Sequence, residues 1–498
     1  MKKIVLCYSR NNPYSYDAHT PLSILSLGTF LETKGVEVDY FDERVQPIGR
    51  FHELLAQKPA LVGFSVIGGY QIASAARLSR AVRRDSPASL IVWGGLAPTT
   101  LPKETAAEDF VDAAVVGEGE QTLLELVRGL GAGALELSSV AGLVFRRDGG
   151  IVVNPPRPAM DMEELPFVYQ GKAREMLRLY LRRKNVREMT GYETSRGCPF
   201  FCRFCYSPHF NRGNVRVKSL GKIAEELRSI RELGVDDFDV YDDTLLGGRQ
   251  EEIPAFVDRL GRTGFRWIGN LRINMVSDGL IDKLEKSGCR WVYFGLESND
   301  DRVLAEMRKG ITSEQIRTGV EVMRRHRVST VYSIVMGLPL ESEDMDVNKY
   351  LDFADRLHAL HPSAEIQLQS YVPLPGTDLY AASLRRGFRP PVRLLDWAEL
   401  DHFGVTNPWI RPASLPRRLY LSSFLAYRYK RHLAHFPLGL FFYPFHRLAL
   451  FRFRRRWFGF FMEDYFYFAA LFAAKALTSL RFFLRDGGGR FGGEPQAR

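Results

Sequence analysis

The sequence predicts an α/β protein: a doubly wound, Rossmann-like parallel sheet, then a partial barrel of six strand–helix units, then a helical region. Three observations lead to this prediction. Short apolar runs alternate with amphipathic helical periodicity along residues 1–150, and again along 187–405. A proline-rich stretch separates the two series, and residues 406–486 are dense in aromatic and basic side chains. A chain of 498 residues, 45% of them hydrophobic, is long enough for two or three folded domains.

The cysteine and charge content narrow the class of protein. The chain has five cysteines, an odd number with three close together, which does not suit a disulfide framework and favours a reducing cytosol. The apolar run at the N-terminus is shorter than a signal-peptide core, and no charge-free apolar run of about 20 residues is present. We therefore expect a cytoplasmic protein. Its net charge of +10 belongs to the tail, because residues 411–498 hold 16 Lys and Arg against 4 Asp and Glu.

Residues 1–150 are predicted to form the first sheet. Its strand candidates are KKIVLCYS, VEVDYFDE, ALVGFSVI, LIVWGG and AAVVGEG, and PLSILSLGTFLETKG and YQIASAARLSRAVRRDSP are amphipathic helices. Ligands of such sheets bind at the carboxyl ends of the strands. That edge holds glycines, which let the backbone approach a bulky ligand, together with one acid: Gly68, Gly69, Gly94, Gly95, Gly117, Glu118 and Gly119. Alternatively, these glycines only form tight turns.

Residues 151–186 are predicted to be an interdomain linker, because 155–167 carry four prolines and no clear periodicity. The second series, over 187–405, has six strand candidates: GYETSRG, DFDVYDDT, RWIGNLRIN, RWVYFGLES, STVYSIVMGLP and EIQLQSYVPLP. Six units suggest an open version of the eight-unit barrel, which places its chemistry at the carboxyl ends of its strands.

Three cysteines follow the first barrel strand in the segment CPFFCRFC. Cys198, Cys202 and Cys205 are spaced by four and three positions on one short loop. Zinc usually takes four ligands, commonly as two separated pairs, and no second pair is present. A cubane iron–sulfur cluster held by three cysteines leaves one iron open for a substrate. A structural zinc remains the alternative.

The segment CPFFCRFC resembles the CxxxCxΦC motif of the radical S-adenosylmethionine enzymes, with Phe204 in the aromatic position. The resemblance implies a [4Fe-4S] cluster held by the three cysteines, with S-adenosylmethionine bound to the fourth iron. It also implies reductive cleavage of S-adenosylmethionine to a 5′-deoxyadenosyl radical, with electrons from a donor such as a flavodoxin or a ferredoxin.

Later barrel segments resemble the same family. YDDTLL places Asp242 and Asp243 near the end of the second strand, and LRINMVSDGL and FGLES place Arg272, Glu297 and Ser298 at the next strand ends. The resemblance implies that these residues face S-adenosylmethionine, a zwitterion whose charges each meet a partner there. The alternative is that Arg272 and Glu297 form a structural ion pair. VMGLPLES departs from the family's Gly-Leu-Pro-Gly-Glu pattern at Leu340.

The first series resembles the cobalamin-binding domain of cobalamin-dependent members of that family, so the resemblance covers about residues 1–405. It rests on the glycine pairs and on VVGEGEQTLLEL. The chain has no Asp-x-His-x-x-Gly element, and where the subclass often has a histidine after the second glycine pair it reads LAPT. A domain that has lost its cofactor is therefore the alternative to cobalamin binding.

The two-domain resemblance implies methyl transfer from cobalamin to an unactivated carbon or phosphorus centre of a small-molecule or lipid-like substrate. The alternative within the family is a cyclase or ring-rearranging enzyme. An alternative from another class is a membrane-surface scaffold with a structural iron–sulfur cluster.

The basic tail motivates the scaffold alternative. Residues 436–468 hold 15 Phe, Trp and Tyr residues interleaved with arginines. Such a segment suits peripheral contact with anionic lipids at the inner membrane face, or a helical cap packed on the barrel. Nucleic acid is the least favoured partner. Residues 487–498, rich in glycine, are predicted to be disordered.

Overall fold

The fold is taken from a computed structural model that describes residues 3–11, 19–181, 190–211, 213–342, 346–400, 407–410, 419, 423, 426–427 and 439–457. Two sheets dominate it, and both have parallel strands with helices as crossovers. The α/β class and the two-sheet order predicted from the sequence are confirmed.

The first sheet has seven strands in the order β2-β1-β3-β4-β5-β6-β7. Strands β1 to β5 pair in parallel, and β6 and β7 extend the sheet in antiparallel fashion. The strands are β1 Ile4–Tyr8, β2 Val38–Asp42, β3 Leu61–Ser65, β4 Leu90–Gly94, β5 Ala113–Val115, β6 Leu143–Arg147 and β7 Gly150–Val153. Sequence analysis found the five parallel strands, which are mostly buried because helices cover both faces of the sheet. It missed β6 and β7.

The helices of this part are α1 Leu22–Thr33, α2 Ile48–Ala56, α3 Tyr70–Asp85, α4 Leu96–Thr100, α5 Pro102–Ala107, α6 Glu120–Ala132 and α7 Gly171–Leu181, with a 3₁₀ turn at Leu137–Ser139. The stretch predicted as a linker, 151–186, contains most of β7 and the whole of α7. Buried residues of α7 join the same core as α1, so this stretch is packed onto the first sheet.

The second sheet has six parallel strands in the order β15-β14-β13-β12-β11-β8. Neighbouring strands follow one another along the chain, except that β9 and β10, which come between β8 and β11, form a separate antiparallel ribbon. This arrangement is the open six-unit barrel that the sequence predicted. The strands are β8 Thr190–Tyr192, β9 Ser195–Arg196, β10 Arg216–Val217, β11 Asp237–Val240, β12 Arg266–Asn270, β13 Cys289–Gly295, β14 Ser329–Met336 and β15 Glu365–Ser370. Outward-facing residues such as Phe238 are buried against helices, and the inner positions are more polar.

The barrel helices are α8 Ser207–Phe210, α9 Leu220–Glu232, α10 Ile253–Gly261, α11 Asp278–Lys286, α12 Asp301–Glu306, α13 Ser313–Met323, α14 Val347–Leu360 and α15 Asp378–Arg385, with 3₁₀ turns at Leu245–Gly248, Ile273–Met275 and Leu394–Glu399. Ser219 and Ser277 cap α9 and α11, and Thr312 forms a capping box with Gln315 on α13.

Beyond residue 400 the described part contains α16, Gly439–Arg455. Phe453 packs on Tyr427, and Arg456 pairs with Asp352 and Asp355 of α14, so this helix rests on the barrel. Among the residues described, no helix has the length and apolar character needed to cross a membrane. Most of the predicted helical region 406–486 and the whole of 487–498 lie outside the described residues.

Candidate functional site

The three clustered cysteines lie on one loop between β9 and α8, which we call the cluster loop (residues 197–206). The Cys205 N–H donates to the Cys202 carbonyl at 3.0 Å, and Arg203 bonds through its backbone to Met307 and to Leu379. The loop is therefore held against the ends of two later strand–helix units. Its first residue, Gly197, has φ 95°, and a side chain there would run into the Asn214 carbonyl oxygen.

The thiols suit a metal cluster chemically. Burial raises the pKa of Cys198, and raises the pKa of Cys205 to about 12, so neither is a thiolate unless a metal replaces the proton. The Sγ atoms of Cys198, Cys202 and Cys205 do not all lie within 4.8 Å of one another. Among the described residues, the ligand atoms of Asp282, Glu285 and His326 do. One tetrahedral zinc would bring the sulfurs to about 3.8 Å. The three sulfurs are therefore spread more widely than a single zinc ion would hold them.

A group of charged side chains lies beside the cluster loop. The Lys309 ammonium is 2.8 Å from Glu297 and 5.5 Å from the Phe204 ring centroid, and it is buried. Arg272 donates to the Lys309 carbonyl and stacks 3.6 Å from the centroid of the Phe200 ring. We call these five residues the ion group.

The ion group has unused capacity for a ligand. Arg272 Nε and Glu297 Oε2 are buried without a hydrogen-bond partner. Burial acts to lower the pKa of Arg272, and its net pKa stays below the usual value despite the nearby thiols. Glu297 also holds a left-handed backbone, φ 67°, which is strained for a residue with a side chain. One free donor and one free acceptor in a buried, strained setting fit a zwitterionic ligand such as S-adenosylmethionine.

The other candidate residues of the barrel have different surroundings. Ser298 is buried, and its hydroxyl accepts from the Asp300 N–H in the turn that opens α12. Asp242 accepts backbone N–H bonds from Thr194, Ser195 and Leu246, while burial raises its pKa to about 6. These bonds fix the backbone ahead of the cluster loop.

Asp243, by contrast, faces open space. It accepts from the Ser207 hydroxyl at 2.5 Å and lines a cavity of about 570 Å³ between the two sheets. Five of the predicted cofactor residues line the other side of this cavity: Gly94, Gly95, Gly117, Glu118 and Gly119. Gly68 and Gly69 lie at the start of α3, outside the set of described residues that line it.

On the glycine side, the cavity is bordered by main chain that carries no side chain. Gly95 has φ 102°, and a Cβ there would lie 2.8 Å from the Val66 carbonyl oxygen. Gly117 has φ 81°, and a Cβ there would meet no atom within 4 Å. The residues therefore leave a cradle at the carboxyl edge of the sheet, as a corrinoid requires.

Arginines join the two halves of the cavity wall. Arg196 contacts Glu120 at 2.8 Å and Glu193 at 3.0 Å, and Arg216 contacts Glu118 at 2.6 Å. We call these five residues the interdomain clamp. Burial acts to raise the pKa of Glu118, but the two arginines outweigh it and the net pKa is lowered. Glu118 is therefore an ion-pair partner of the barrel as well as a residue of the cavity lining, and its predicted role in cofactor binding stays a prediction.

Sequence analysis missed Lys309, Phe200 and the clamp arginines. Arg196 stands two residues before Cys198, and that position was its only signal. Nothing around Lys309 in MRKG marks it, because its role depends on a turn that brings it back to Glu297.

The open barrel has six strands and carries three clustered thiols on its first loop. It faces the glycine edge of the first sheet across one cavity. Together these features are those of a two-domain metalloenzyme of the radical type. Sequence families divide the chain in the same way: residues 192–353 match the Radical SAM superfamily, and residues 14–127 match the B12 binding domain. The chain therefore combines a radical S-adenosylmethionine domain with a cobalamin-binding domain, and methyltransferases are among the proteins it is similar to. Its cofactors are a [4Fe-4S] cluster, S-adenosylmethionine and cobalamin.

Three relatives show the range of this group. An uncharacterised methyltransferase of Pyrococcus horikoshii is 29% identical, over 67% of this chain and 72% of its own length. Cytidylyl-2-hydroxyethylphosphonate methyltransferase of Streptomyces wedmorensis is 25% identical, over 67% and 68%. Anaerobic magnesium-protoporphyrin IX monomethyl ester cyclase of Synechocystis is 27% identical, over 62% of each chain.

Two solved structures share the fold. The cobalamin-dependent S-adenosylmethionine radical enzyme OxsB, with aqua-cobalamin and S-adenosylmethionine bound, superposes with a TM-score of 0.70, at 17% identity over 90% of this chain and 71% of its own. The radical S-adenosylmethionine methyltransferase TsrM of Kitasatospora setae gives a TM-score of 0.63, at 21% identity over 76% and 75%. At these identities the likeness concerns the fold.

Proposed function

We propose that this enzyme methylates an unactivated carbon or phosphorus centre of a small-molecule or lipid-like substrate. The observation that carries the proposal is the single cavity of about 570 Å³ that both sheets line. Asp243 and Gly197 of the barrel face it from one side, and Gly94 and Gly117 of the first sheet face it from the other. Groups bound at the two edges would meet in this shared cavity.

Each edge has a role in this proposal. Cys198, Cys202 and Cys205 hold the cluster, the ion group holds S-adenosylmethionine, and the glycine edge holds cobalamin. When bound, these groups supply the one-electron chemistry that opens an inert bond and the methyl group that replaces hydrogen.

The chain's own contribution is position and the exclusion of water. The interdomain clamp fixes the distance between the two edges, because Arg196 and Arg216 each bond to acids on the far side of the cavity. Apolar and aromatic side chains, Leu27, Val115, Tyr206 and Phe210 among them, complete the cavity wall and keep reactive groups from solvent.

A labelling experiment tests the reaction. The reduced enzyme is incubated with candidate substrates and S-adenosylmethionine carrying a ¹³C-methyl group. Label in the product supports methyl transfer, whereas an unlabelled product with an altered ring favours the second candidate, a ring-forming reaction, for which the cyclase relative is the supporting observation. The scaffold alternative requires that no 5′-deoxyadenosine form under reducing conditions.

The electron donor is proposed to dock at the cluster loop. Pro199 and Phe201 are exposed there, and Phe201 is 57% exposed next to the buried Cys202. A reduced flavodoxin or ferredoxin would meet this face. Phe201→Glu is expected to slow enzymatic reduction of the cluster and to leave reduction by dithionite unchanged; equal slowing of both would contradict docking at this face.

Peripheral membrane contact is proposed for α16. Tyr443, Phe451 and Trp457 are about half exposed, and Arg454 and Arg455 are exposed beside them. Replacing the three aromatic residues by Ser is expected to reduce sedimentation of the full chain with vesicles of phosphatidylglycerol. Unchanged sedimentation would leave this helix with a packing role alone.

A further inference from the structure

The connection between β1 and α1 contributes one imidazole to the wall of the shared cavity. Among the described residues that line this cavity, His19 is the only histidine. It is half-buried, and its ring makes an edge contact with the ring of Tyr241, with centroids 6.1 Å apart at an interplanar angle of 63°. Tyr241 follows β11 and lines the same cavity. A nitrogen donor therefore borders the space between the two sheets.

Contacts from both halves of the molecule hold the backbone around this imidazole. The His19 carbonyl accepts from Arg44 Nη2 at 2.9 Å, and Arg44 is itself paired with the buried Asp42 at the end of β2. On the barrel side, the Thr20 hydroxyl accepts from the Gly191 N–H of β8 at 2.7 Å. The position of His19 is therefore fixed by the protein itself, as a preorganised ligand requires.

His19 and the glycine cradle belong to the same edge of the first sheet. The strand order is β2-β1-β3-β4-β5, so β1 lies two places from β4, whose end carries Gly94 and Gly95. At the usual spacing of strands this separation is about 10 Å. A corrin macrocycle is wide enough to cover neighbouring strand ends. A corrin in the glycine cradle would therefore extend toward the connection that carries His19.

The other possible ligands in the cavity wall are less suited to a metal. Four acids line the wall, and each already has a partner. Three pair with arginines of the interdomain clamp, and the last accepts from Ser207: Glu118, Glu120, Glu193 and Asp243. Burial raises the pKa of the three tyrosines of the wall, which keeps their phenols protonated: Tyr8, Tyr206 and Tyr241. Neutral imidazole, in contrast, is the commonest side-chain ligand of metals.

We propose that the His19 imidazole is an axial ligand of the cobalt when cobalamin is bound at the glycine edge. Sequence analysis found no Asp-x-His-x-x-Gly element, so the inference rests on the position of His19 in the fold and on the donors available there. Ligation uses one ring nitrogen, and the other can make the hydrogen bond that orients the ring. The inference concerns how the cofactor is held and does not depend on which reaction the enzyme performs.

The test uses the full-length enzyme with cobalamin bound, its cluster oxidised and its cobalt in the paramagnetic cobalt(II) state. In this state an axial nitrogen splits the low-temperature EPR signal, into triplets for ¹⁴N and into doublets for ¹⁵N. We expect triplets from unlabelled protein and doublets from protein that contains ¹⁵N-histidine. His19→Ala with the same label should lose the doublets and regain them when ¹⁵N-imidazole is added.

His52→Ala is the matched control and should keep the doublets, because His52 lies on α2, paired with Asp85 and outside the described lining of the cavity. Triplets that persist in ¹⁵N-histidine protein would assign the ligand to the benzimidazole of the cofactor and overturn the inference. An unsplit signal in the wild type, or doublets in labelled His19→Ala, would overturn it too.

A loss of cobalamin from His19→Ala would leave the decision to the labelled wild type, since His19 is the only histidine in the described wall of the cavity. Doublets there support the inference, and triplets or an unsplit signal reject it. Formation of 5′-deoxyadenosine and transfer of labelled methyl are scored separately. Their failure in a protein that shows the doublets would reject the proposed function and not the axial ligand.

Discussion

The two edges that face the shared cavity are built from different materials. The first sheet presents backbone, with Gly94, Gly95 and Gly117 leaving a cradle. The barrel meets the cavity with Gly197, Tyr206 and Asp243. Its reactive and ionisable groups, three thiols and then Arg272, Lys309 and Glu297, lie on and beside the cluster loop and outside the cavity lining. Under the proposed function, the first edge would recognise its cofactor by shape and the second by charge and metal ligation. Added volume should damage the first edge, and lost functional groups should damage the second.

The largest effect is expected from Cys202→Ser, which removes one of three cluster ligands. Iron content should fall and 5′-deoxyadenosine formation should drop below detection, while cobalamin binding at the glycine edge persists. Optical spectra and a nucleoside assay measure the two properties in one sample. Cys289→Ser is the control, because this thiol is buried on β13 and, among the described residues, its one hydrogen bond is to the Trp291 carbonyl. Full iron content in Cys202→Ser would mean that the loop is not the cluster site.

The connection between the edges should be the next most sensitive feature. Arg196→Ala leaves Glu120 and Glu193 buried or half-buried without their cation, and we expect a loss of about 3 kcal/mol in the free energy of unfolding. Denaturant unfolding measures it. Arg325→Ala breaks an exposed pair with Asp278 and should change stability little. Similar, small changes in both variants would show that the clamp does not hold the two halves together.

Adding side-chain volume at the glycine edge tests whether cobalamin binds there. Gly117→Leu places a side chain in the cavity and should weaken cobalamin binding about tenfold, a loss of about 1.4 kcal/mol. Gly133→Leu is its matched control: its φ is 68° against 81° for Gly117, no atom lies within 4 Å of either added Cβ, and Gly133 ends α6 away from the cavity. Both variants should lose about 1 kcal/mol of stability from backbone strain. Equal cobalamin affinity in both would place the corrinoid elsewhere.

Features with a local sequence signal could be predicted, and features that depend on contacts across the fold could not. The spacing of Cys198, Cys202 and Cys205 is a local signal, and apolar alternation is strong in buried parallel strands, so the cluster loop and both sheets were predicted. β6 and β7 were missed because they form a short antiparallel hairpin with one exposed strand, whose burial pattern is weak. The placement of Gly68 and Gly69 at the cofactor edge stays a prediction, since neither lines the cavity in the described residues.

Residues whose roles depend on distant contacts could not be found from the sequence. In the sequence, Glu118 lies within a glycine-rich turn. Its ion pairs with Arg196 and Arg216 are seen only in the folded structure. Lys309 meets Glu297 across twelve positions of chain, and Phe200 stacks on Arg272 from the cluster loop. Charge compensation of this kind depends on the assembled barrel. The cysteines of the second edge could therefore be predicted from the sequence, whereas the residues that support them could not.

The smallest expected effect concerns one of those supports. Phe200→Leu removes the ring on which Arg272 stacks, and a cation–π contact of this kind contributes about 0.5–1 kcal/mol. Arg272 would lose part of its orientation, because its Nε has no other partner in the described protein. Affinity for S-adenosylmethionine, measured by calorimetry on the cluster-loaded protein, should therefore fall about twofold to fivefold, and cobalamin binding should not change.

Phe201→Leu provides the control for that substitution, since it is the adjacent residue of the same loop and its ring is largely exposed. It removes the same number of ring atoms without touching Arg272, so affinity for S-adenosylmethionine should stay at the wild-type level. A loss in Phe201→Leu equal to that in Phe200→Leu would indicate a general loosening of the cluster loop. A loss confined to Phe200→Leu would show that the charged edge depends on an aromatic support, which the glycine edge does without.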